Sequence, residues 1–191
     1  AYPDAFLLRL AGGGGRLGGV ARAMVLAGVR LRGEDDLRRG DAISASITGH
    51  GWRERLGIDV PLLSEAEAGA RLAALAARND LTVYAHWATD ATGHRGTLEG
   101  AIRTLGRYDA FLVGLLAALP AGVEVVLASD HGNIEDVSHG RHTANPALAA
   151  WRGGPRPARW DALTDVAPAI RTALGVPEAE GASVDAPPAL D

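Results

Sequence analysis

Histidines and aspartates recur in two polar segments, each of which directly follows a predicted strand and is predicted to be a loop that turns at the end of that strand. The first segment carries Asp90 and His94, and the second carries Asp130, His131 and, further on, His142. On its own, Asp130-His131 is equally compatible with a structural turn. Together, two carboxylates and three imidazoles suit divalent ions such as Zn²⁺ or Mn²⁺ and exceed what one catalytic ion normally takes from a protein. We therefore expect two divalent ions, which would clamp the oxygens of a displacement at phosphorus.

These ligands need elements that bring the two segments together. Leu81 to His86 is β-branched and aromatic and predicts a strand. Thr97 to about Leu119 has the apolar spacing of a long helix, and Val123 to Ala128 predicts the next strand. Strand, helix, strand is the crossover unit of a parallel sheet, and ligands gather at the carboxyl ends of such strands. The sequence therefore predicts an α/β fold, a mostly parallel sheet with helices on both faces.

Shorter elements are predicted around this unit. Ser64 and Glu67 form a capping box that begins a helix to about Arg78, and a last helix ends at Leu174. The other predicted elements are a strand at Ala5 to Leu10, a helix at Val20 to Gly28, a helix start at Gly33 to Leu37 and a strand at Ala147 to Trp151. The side chains expected on the buried face of the long helix are Leu98, Ile102, Leu105, Leu112, Leu115 and Leu116. Residues 177–191 predict a loose tail.

Composition excludes several classes of protein and site. The 191 residues carry a formal charge of -4, and the cations are dispersed Arg residues without any Lys, so there is no basic field for nucleic acid. Cysteine is absent, which excludes disulfides, thiolate nucleophiles and Cys-based metal sites. No apolar run is long enough to cross a bilayer, and no signal-peptide pattern is present. We expect a soluble, cytoplasmic protein that binds neither nucleic acid nor membrane.

Three motifs carry a family resemblance: Asp90-Ala-Thr-Gly-His94, Ser129-Asp130-His131-Gly132-Asn133 and His142-Thr143-Ala144-Asn145-Pro146. In this order, and followed by a final helix, they resemble the alkaline phosphatase superfamily, with the cofactor-independent phosphoglycerate mutase-like branch closest. The resemblance covers about Leu81 to Val176. It implies that Asp90, His94 and His142 bind one ion. It implies also that Asp130 and His131 contribute to a second, the ions being Mn²⁺ or Zn²⁺, with Mg²⁺ as an alternative.

The resemblance also implies residues that this sequence does not show. In that superfamily the second ion takes an Asp after the first strand, and a Ser or Thr nucleophile stands at a helix start nearby. Neither is found before Asp90, and Ala147-Leu148 departs from the usual continuation after Asn-Pro. We therefore expect residues 1–176 to be a partial alkaline phosphatase-like metalloenzyme domain. It would be the carboxyl-terminal part of a longer enzyme. The nucleophile and an N-terminal segment of the same protein would be missing from it.

Four further residues are candidates for substrate binding. Arg95 and Arg141 carry guanidinium groups suited to phosphate, although surface solvation explains them equally well. His142 fits the His-Thr-x-Asn-Pro pattern better than His139, which leaves His139 as an outer partner or a solvated residue. His86 either orients a ligand or is a packed polar residue at a strand end.

The expected function is metal-dependent phosphoryl transfer on a small phosphorylated metabolite, by a phosphomutase or a phosphatase. In the complete enzyme a hydroxyl nucleophile would form a phosphoenzyme that a second acceptor relieves. The alternatives are a sulfatase or phosphodiesterase that uses the same metals, and a metal-binding domain without turnover. We expect these 191 residues alone to be inactive and to bind metal weakly or incompletely, or not at all.

Overall fold

The computed structural model describes residues 1–154 and 160–177. Within these residues the chain is mainly helical and has one short sheet. The elements are α1 (Asp4–Ala11), α2 (Gly19–Leu26), α3 (Glu34–Arg39), α4 (His50–Leu56), α5 (Glu65–Ala76), α6 (Ala88–Arg95), α7 (Leu98–Ala118), β1 (Val125–Ala128), β2 (Ala149–Arg152), a 3-10 turn (Leu163–Asp165) and α8 (Val166–Ala173). No helix in this described part of the chain is both long and apolar enough to cross a membrane.

The chain divides into two compact units. Unit 1 contains Ala1–Val123 and His131–Pro146, and unit 2 contains Glu124–Asp130 and the described residues from Ala147 onward. Helices α1 to α7 therefore lie in unit 1, and β1, β2 and α8 lie in unit 2. Of the five predicted metal ligands, only Asp130 belongs to unit 2.

Capping side chains set the first residues of the two main helices of unit 1. The Ser64 hydroxyl accepts the Glu67 N–H at 3.3 Å, and the Glu67 carboxylate accepts the Ser64 N–H at 2.7 Å, so the predicted capping box of α5 is confirmed. The Thr97 hydroxyl accepts the Gly100 N–H at 3.1 Å and caps α7. Both helices begin where the sequence predicts, because these caps satisfy backbone donors that have no partner within the helix.

Helices α5 and α7 cross in backbone contact. A Cβ on Gly69 would lie 2.5 Å from Leu115 N, and a Cβ on Gly114 would lie 2.6 Å from Ala66 Cα. Beside this crossing Phe111 is almost fully buried. It belongs to an apolar cluster with Ile43, Ile47 and Ala68. Two glycines on facing helices therefore allow the close approach on which this core depends.

The predicted bounds of α7 are confirmed, whereas its predicted buried face is only partly buried. Leu115 is buried, but Leu98 and Ile102 are 70% and 63% exposed. Leu105 and Leu116 are exposed as well. Packing on α5 uses the side of α7 that carries Phe111 and Gly114, so the remaining apolar side chains stay in contact with solvent.

A buried carboxylate holds the segment around α3 in place. Asp36 is 2% exposed. Its carboxylate accepts hydrogen bonds from the two terminal nitrogens of the Arg30 guanidinium, at 2.8 and 2.9 Å. It also accepts the Gly33 N–H at 2.8 Å and Arg39 at 2.9 Å. The Arg30 hydrogen bonds hold the pKa of Asp36 well below its usual range, against the opposing effect of desolvation.

The strand predicted at Ala5 to Leu10 is wrong, because these residues lie in helix α1. Phe6, Leu7 and Leu10 are half-buried and Leu8 is exposed, which is the pattern of one helix face and not the alternation of a strand. A short apolar run fits both interpretations, and its periodicity alone does not decide between them.

The strand predicted at Leu81 to His86 is also wrong, since this segment forms no strand in the structure. Side chains attach it to the loop between α3 and α4. The Tyr84 hydroxyl donates to the Ser44 carbonyl at 3.1 Å, and His86 Nδ1 lies 3.2 Å from the Ala45 carbonyl. Strand propensity identifies residues that fit a pleated surface, but a strand also requires a neighbour that completes its hydrogen bonds.

In unit 2, β1 and β2 pair antiparallel, with Val125 opposite Arg152 and Ala128 opposite Ala149. The strands predicted at Val123 to Ala128 and Ala147 to Trp151 and the final helix are confirmed. The two strands run antiparallel because the chain loops back between them. This two-stranded sheet therefore does not confirm the predicted mostly parallel sheet. Apart from Pro177, the predicted tail lies outside the described residues.

Candidate metal centre

Asp90 and His94 lie on one face of helix α6. The sequence predicted a loop here, but Ala88–Arg95 is helical, and residues four apart lie on the same helix face. His94 Nε2 is 3.3 Å from Asp90 Oδ1. The first motif is therefore a helical pair of candidate ligands.

The loop from His131 to Pro146 folds back and places two imidazoles side by side. Gly132 and Thr143 form an antiparallel bridge, in which the Thr143 N–H donates to the Gly132 carbonyl at 2.9 Å. Each bridge residue directly follows a histidine. The rings of His131 and His142 are consequently stacked, with centroids 3.5 Å apart and an interplanar angle of 18°.

Four side chains from α6 and this loop converge. Asp90 Oδ1 lies 3.8 Å from His131 Nε2 and 3.7 Å from His142 Nε2. His142 Nε2 lies 3.2 Å from His94 Nε2. One ligand atom each from Asp90, His131 and His142 lies within 4.8 Å of the other two. The two polar segments therefore meet, as the sequence predicted, with three imidazoles around one carboxylate.

The donor atoms of this cluster fit a divalent cation. His94 Nδ1 is 2.9 Å from the Gly140 carbonyl, which can only accept, so Nδ1 donates, and in the neutral ring the Nε2 lone pair faces Asp90 and His142. Lone pairs of imidazole nitrogens and carboxylate oxygens repel one another unless a cation or a proton lies between them. The four side chains are 29–49% exposed, which leaves the cluster open to ions from solvent.

A family model described as the Metalloenzyme superfamily matches residues 61–177, more than half of the chain. The chain belongs to the Metalloenzyme superfamily. This match confirms the family resemblance drawn from the three motifs. It also extends the matched region upstream of Leu81 to Pro61, and thus includes α5 of the scaffold.

Curated relatives of this Metalloenzyme superfamily member align with only part of it. A 2,3-bisphosphoglycerate-independent phosphoglycerate mutase of Paracoccus denitrificans is 36% identical over 138 residues, which cover 65% of this chain and 27% of that protein. The protein of the same name from Thiobacillus denitrificans is 34% identical over 118 residues, covering 56% and 23%. The chain spans about a quarter of the length of these relatives. No solved structure matches it significantly.

Asp130, the fifth predicted ligand of this superfamily member, lies two residues after the end of strand β1 and is exposed. It belongs to unit 2, whereas Asp90 and the three histidines belong to unit 1. His131, which the resemblance assigns to a second ion together with Asp130, lies beside Asp90 and His142. The division of these ligands between two ions therefore stays a prediction.

The predicted substrate-binding residues near the cluster are exposed. Arg95 follows His94 at the end of α6, and Arg141 precedes His142 in the loop. The Arg141 N–H donates to His139 Nδ1 at 3.0 Å. This bond orients the His139 ring within its own loop.

His86 has the contacts of a packed polar residue, the second of the two roles predicted for it. Its ring stacks on Tyr108, with centroids 4.8 Å apart and an interplanar angle of 16°. Nδ1 faces the Ala45 carbonyl, and Nε2 is buried without a hydrogen-bond partner among the described residues. Burial lowers the pKa of His86 and favours the neutral ring.

Sequence reasoning missed Glu135, which connects both halves of the loop. Its Oε2 accepts the Asn133 N–H at 2.7 Å. Its Oε1 accepts the Thr143 hydroxyl and, at 3.1 Å, the Asn145 amide. These donors, the Thr143 hydroxyl foremost, lower the pKa of Glu135 to about 2. The only signal in the sequence is that its partners occupy the second and third motifs, and no spacing rule joins them to Glu135.

Gly93 allows the loop to approach α6. Asn133 is 5% exposed, and a Cβ on Gly93 would overlap its Oδ1 and lie 3.0 Å from its Nδ2. Neither polar atom of the Asn133 side chain has a hydrogen-bond partner in the described parts of the chain. Close packing against Asn133, and not a tight turn, therefore explains the glycine of the first motif.

Proposed function

We propose that this chain is part of an enzyme for metal-dependent phosphoryl transfer, a phosphomutase or phosphatase that acts on a small phosphorylated metabolite. The observation that carries the proposal is the convergence of ligand atoms from Asp90, His131 and His142 within 4.8 Å. Membership of the Metalloenzyme superfamily and similarity to proteins named phosphoglycerate mutases support this choice of chemistry.

In this proposal Asp90, His94 and His142 hold one divalent ion. Asp130 and His131 contribute to a second. Bound Mn²⁺, Zn²⁺ or Mg²⁺ would supply Lewis-acid stabilisation of phosphoryl oxygens. The protein groups fix where that charge acts, because α6 presents two ligands on one face and the Gly140 carbonyl orients the His94 ring.

The guanidinium groups next to the ligands are proposed to bind the phosphate of the substrate. Arg95 and Arg141 are exposed, and each neighbours a candidate ligand along the chain. A planar guanidinium can donate two parallel hydrogen bonds to phosphate oxygens. The proposal includes an alkaline phosphatase-like α/β fold to which residues 1–176 contribute, with a nucleophile that is not among the residues of this chain.

Metal uptake tests the site directly. Electron paramagnetic resonance of Mn²⁺ titrated into the chain distinguishes free from bound ion. Asp90→Asn is expected to weaken Mn²⁺ binding by about tenfold or more, because it removes the charge that faces three imidazoles. Asp109→Asn, an equivalent change at an exposed position of α7, should leave binding unchanged. If the full-length protein takes up neither Mn²⁺ nor Zn²⁺, the proposed site is wrong.

A substrate panel on the full-length protein tests the reaction. Para-nitrophenyl phosphate, a phosphodiester and a sulfate ester separate a phosphatase or mutase from the alternative phosphodiesterase or sulfatase. Asp130→Ala is expected to abolish turnover of the monoester while the protein remains folded. Wild-type turnover in that variant would exclude a role for the second ion in this reaction.

The second candidate function is a metal-binding domain without turnover, and the hydroxyl contacts of this chain are compatible with it. Two hydroxyls that stand near ligands along the chain already serve as hydrogen-bond partners, since Thr92 pairs with Thr104 at 3.1 Å and Thr143 donates to Glu135. Neither is therefore presented as a nucleophile. Tight metal uptake by the full-length protein without hydrolysis of any ester in the panel would support this alternative.

A further inference from the structure

We propose that Glu135 is a positioning residue for the metal centre, and that it holds His131 and His142 in the stacked arrangement in which both rings face Asp90. The inference rests on the proposed metal site. It concerns a side chain that is not itself a ligand in that proposal, since its oxygens bond to Asn133, Thr143 and Asn145.

The contacts of Glu135 require a group with two acceptor oxygens. The three groups that reach it are the backbone N–H of Asn133, the hydroxyl of Thr143 and the side-chain amide of Asn145. All three donate, and an ionised carboxylate is a pure acceptor that strengthens each bond by its charge. In the isosteric Gln, the amide NH₂ group is itself a donor and would face one of these three donors. At least one of the hydrogen bonds would then be lost.

These bonds fix the backbone next to each imidazole. Thr143 follows His142, and Asn133 is separated from His131 only by Gly132. The Gly132–Thr143 bridge consists of a single pair of residues, in which the backbone hydrogen bond from the Thr143 N–H to the Gly132 carbonyl joins the two sides.

Glu135 adds a second connection between the same two sides. Its Oε2 contacts the side that follows His131, and its Oε1 contacts the side that follows His142. A single hydrogen-bonded bridge allows the two sides of the loop to rotate about it. The second connection, through the Glu135 carboxylate, prevents this rotation. The 3.5 Å separation of the two rings is therefore expected to depend on Glu135.

The test compares Glu135→Gln with Asp136→Asn. The control removes the same charge from the neighbouring residue, whose carboxylate accepts from the Ser138 N–H and makes no bond across the Gly132–Thr143 bridge. Two quantities are measured. The first is Mn²⁺ affinity by calorimetry. The second, measured without any metal, is the set of chemical shifts of the His131 and His142 ring protons. Each stacked ring changes the chemical shifts of the protons on the other ring.

Glu135→Gln is expected to lower Mn²⁺ affinity by about tenfold to a hundredfold and to abolish the mutual ring shifts. Asp136→Asn should change affinity only slightly and keep the ring shifts. Unchanged ring shifts in Glu135→Gln overturn the inference, whatever the metal result. If the full-length wild-type protein binds no metal but Glu135→Gln loses the ring shifts, the proposed function fails while the positioning role of Glu135 stands.

A second variant covers the case in which Glu135→Gln does not fold. Thr143→Val keeps the branched shape of the side chain and removes only the hydroxyl that donates to Glu135. It should weaken the ring shifts in part, and adding Glu135→Gln to it should have less effect than in the wild type, because the two residues share one bond. Independent, additive effects of the two changes would contradict the inference.

Discussion

Gly93→Ala is expected to separate the loop from helix α6 and so to dismantle the candidate metal centre. The added Cβ would overlap Oδ1 of Asn133, and Asn133 is 5% exposed, so its side chain has little room to rotate away. Restoring van der Waals separation requires a movement of roughly 2 Å. Since Asp90 Oδ1 and the imidazole nitrogens are 3.3–3.8 Å apart, such a movement is large compared with the geometry of the cluster.

Two effects of opposite sign determine the change in stability. Overpacking a buried site costs about 1–3 kcal/mol, and replacing Gly by Ala inside a helix gains up to about 1 kcal/mol. Gly93→Ala should therefore lower the free energy of unfolding by about 1–2 kcal/mol. Mn²⁺ affinity should fall by about tenfold to a hundredfold, the range seen when the support of a metal ligand is removed.

Gly106→Ala is the matched control. Gly106 is exposed on α7, and a Cβ there would have no atom within 4 Å. The same substitution should thus raise the free energy of unfolding by about 0.5–1 kcal/mol and leave metal affinity unchanged. Urea denaturation followed by circular dichroism and Mn²⁺ titration measure the two quantities. Equal unfolding midpoints and equal affinities for Gly93→Ala and Gly106→Ala would refute the packing of Gly93 against Asn133.

Two further predictions concern the scaffold. Gly114→Ala should lower the free energy of unfolding by about 1–3 kcal/mol, since its Cβ would lie 2.6 Å from Ala66 Cα, and a urea midpoint equal to that of Gly106→Ala would contradict the helix crossing. Arg30 lowers the pKa of Asp36 in the folded state. The carboxylate therefore stabilises the fold above its unfolded pKa of about 3.9, and this stabilisation is lost as the pH falls through the folded pKa. Asp36→Asn should cost about 1–3 kcal/mol at pH 7 and remove this part of the acid dependence, which urea titrations at pH 7 and pH 3 would detect.

Helices with local signals were predictable from the sequence. The caps at Ser64 and Thr97 determine where α5 and α7 begin, and both lie a few residues from the backbone groups that they satisfy. Pairing and burial were less predictable because they depend on distant residues. Leu81 to His86 has strand composition without forming a strand, and the apolar side chains of α7 cover more than the face that α5 can bury.

In the candidate site, residue types were predictable and their supports were not. Asp90 and His94 were recognised from their chemistry and spacing, but that spacing was interpreted as a turn, whereas it is the repeat of a helix face. Glu135 escaped notice because its role arises only when the loop closes. The role of Gly93 also depends on a distant residue, because Asn133 occupies the space that a Cβ would need.

The contact between His94 and His142 joins positions 48 residues apart, which makes the cluster a crosslink in the chain. In the unfolded state these imidazoles are far apart, and closing a loop of that length has an entropic cost that grows with the logarithm of its length. An ion held by both residues would bind the folded chain only, and at a hundredfold excess over its dissociation constant it would add about 2.7 kcal/mol to the free energy of unfolding. Metal supply would then set the fraction of the protein that is folded as well as its chemistry.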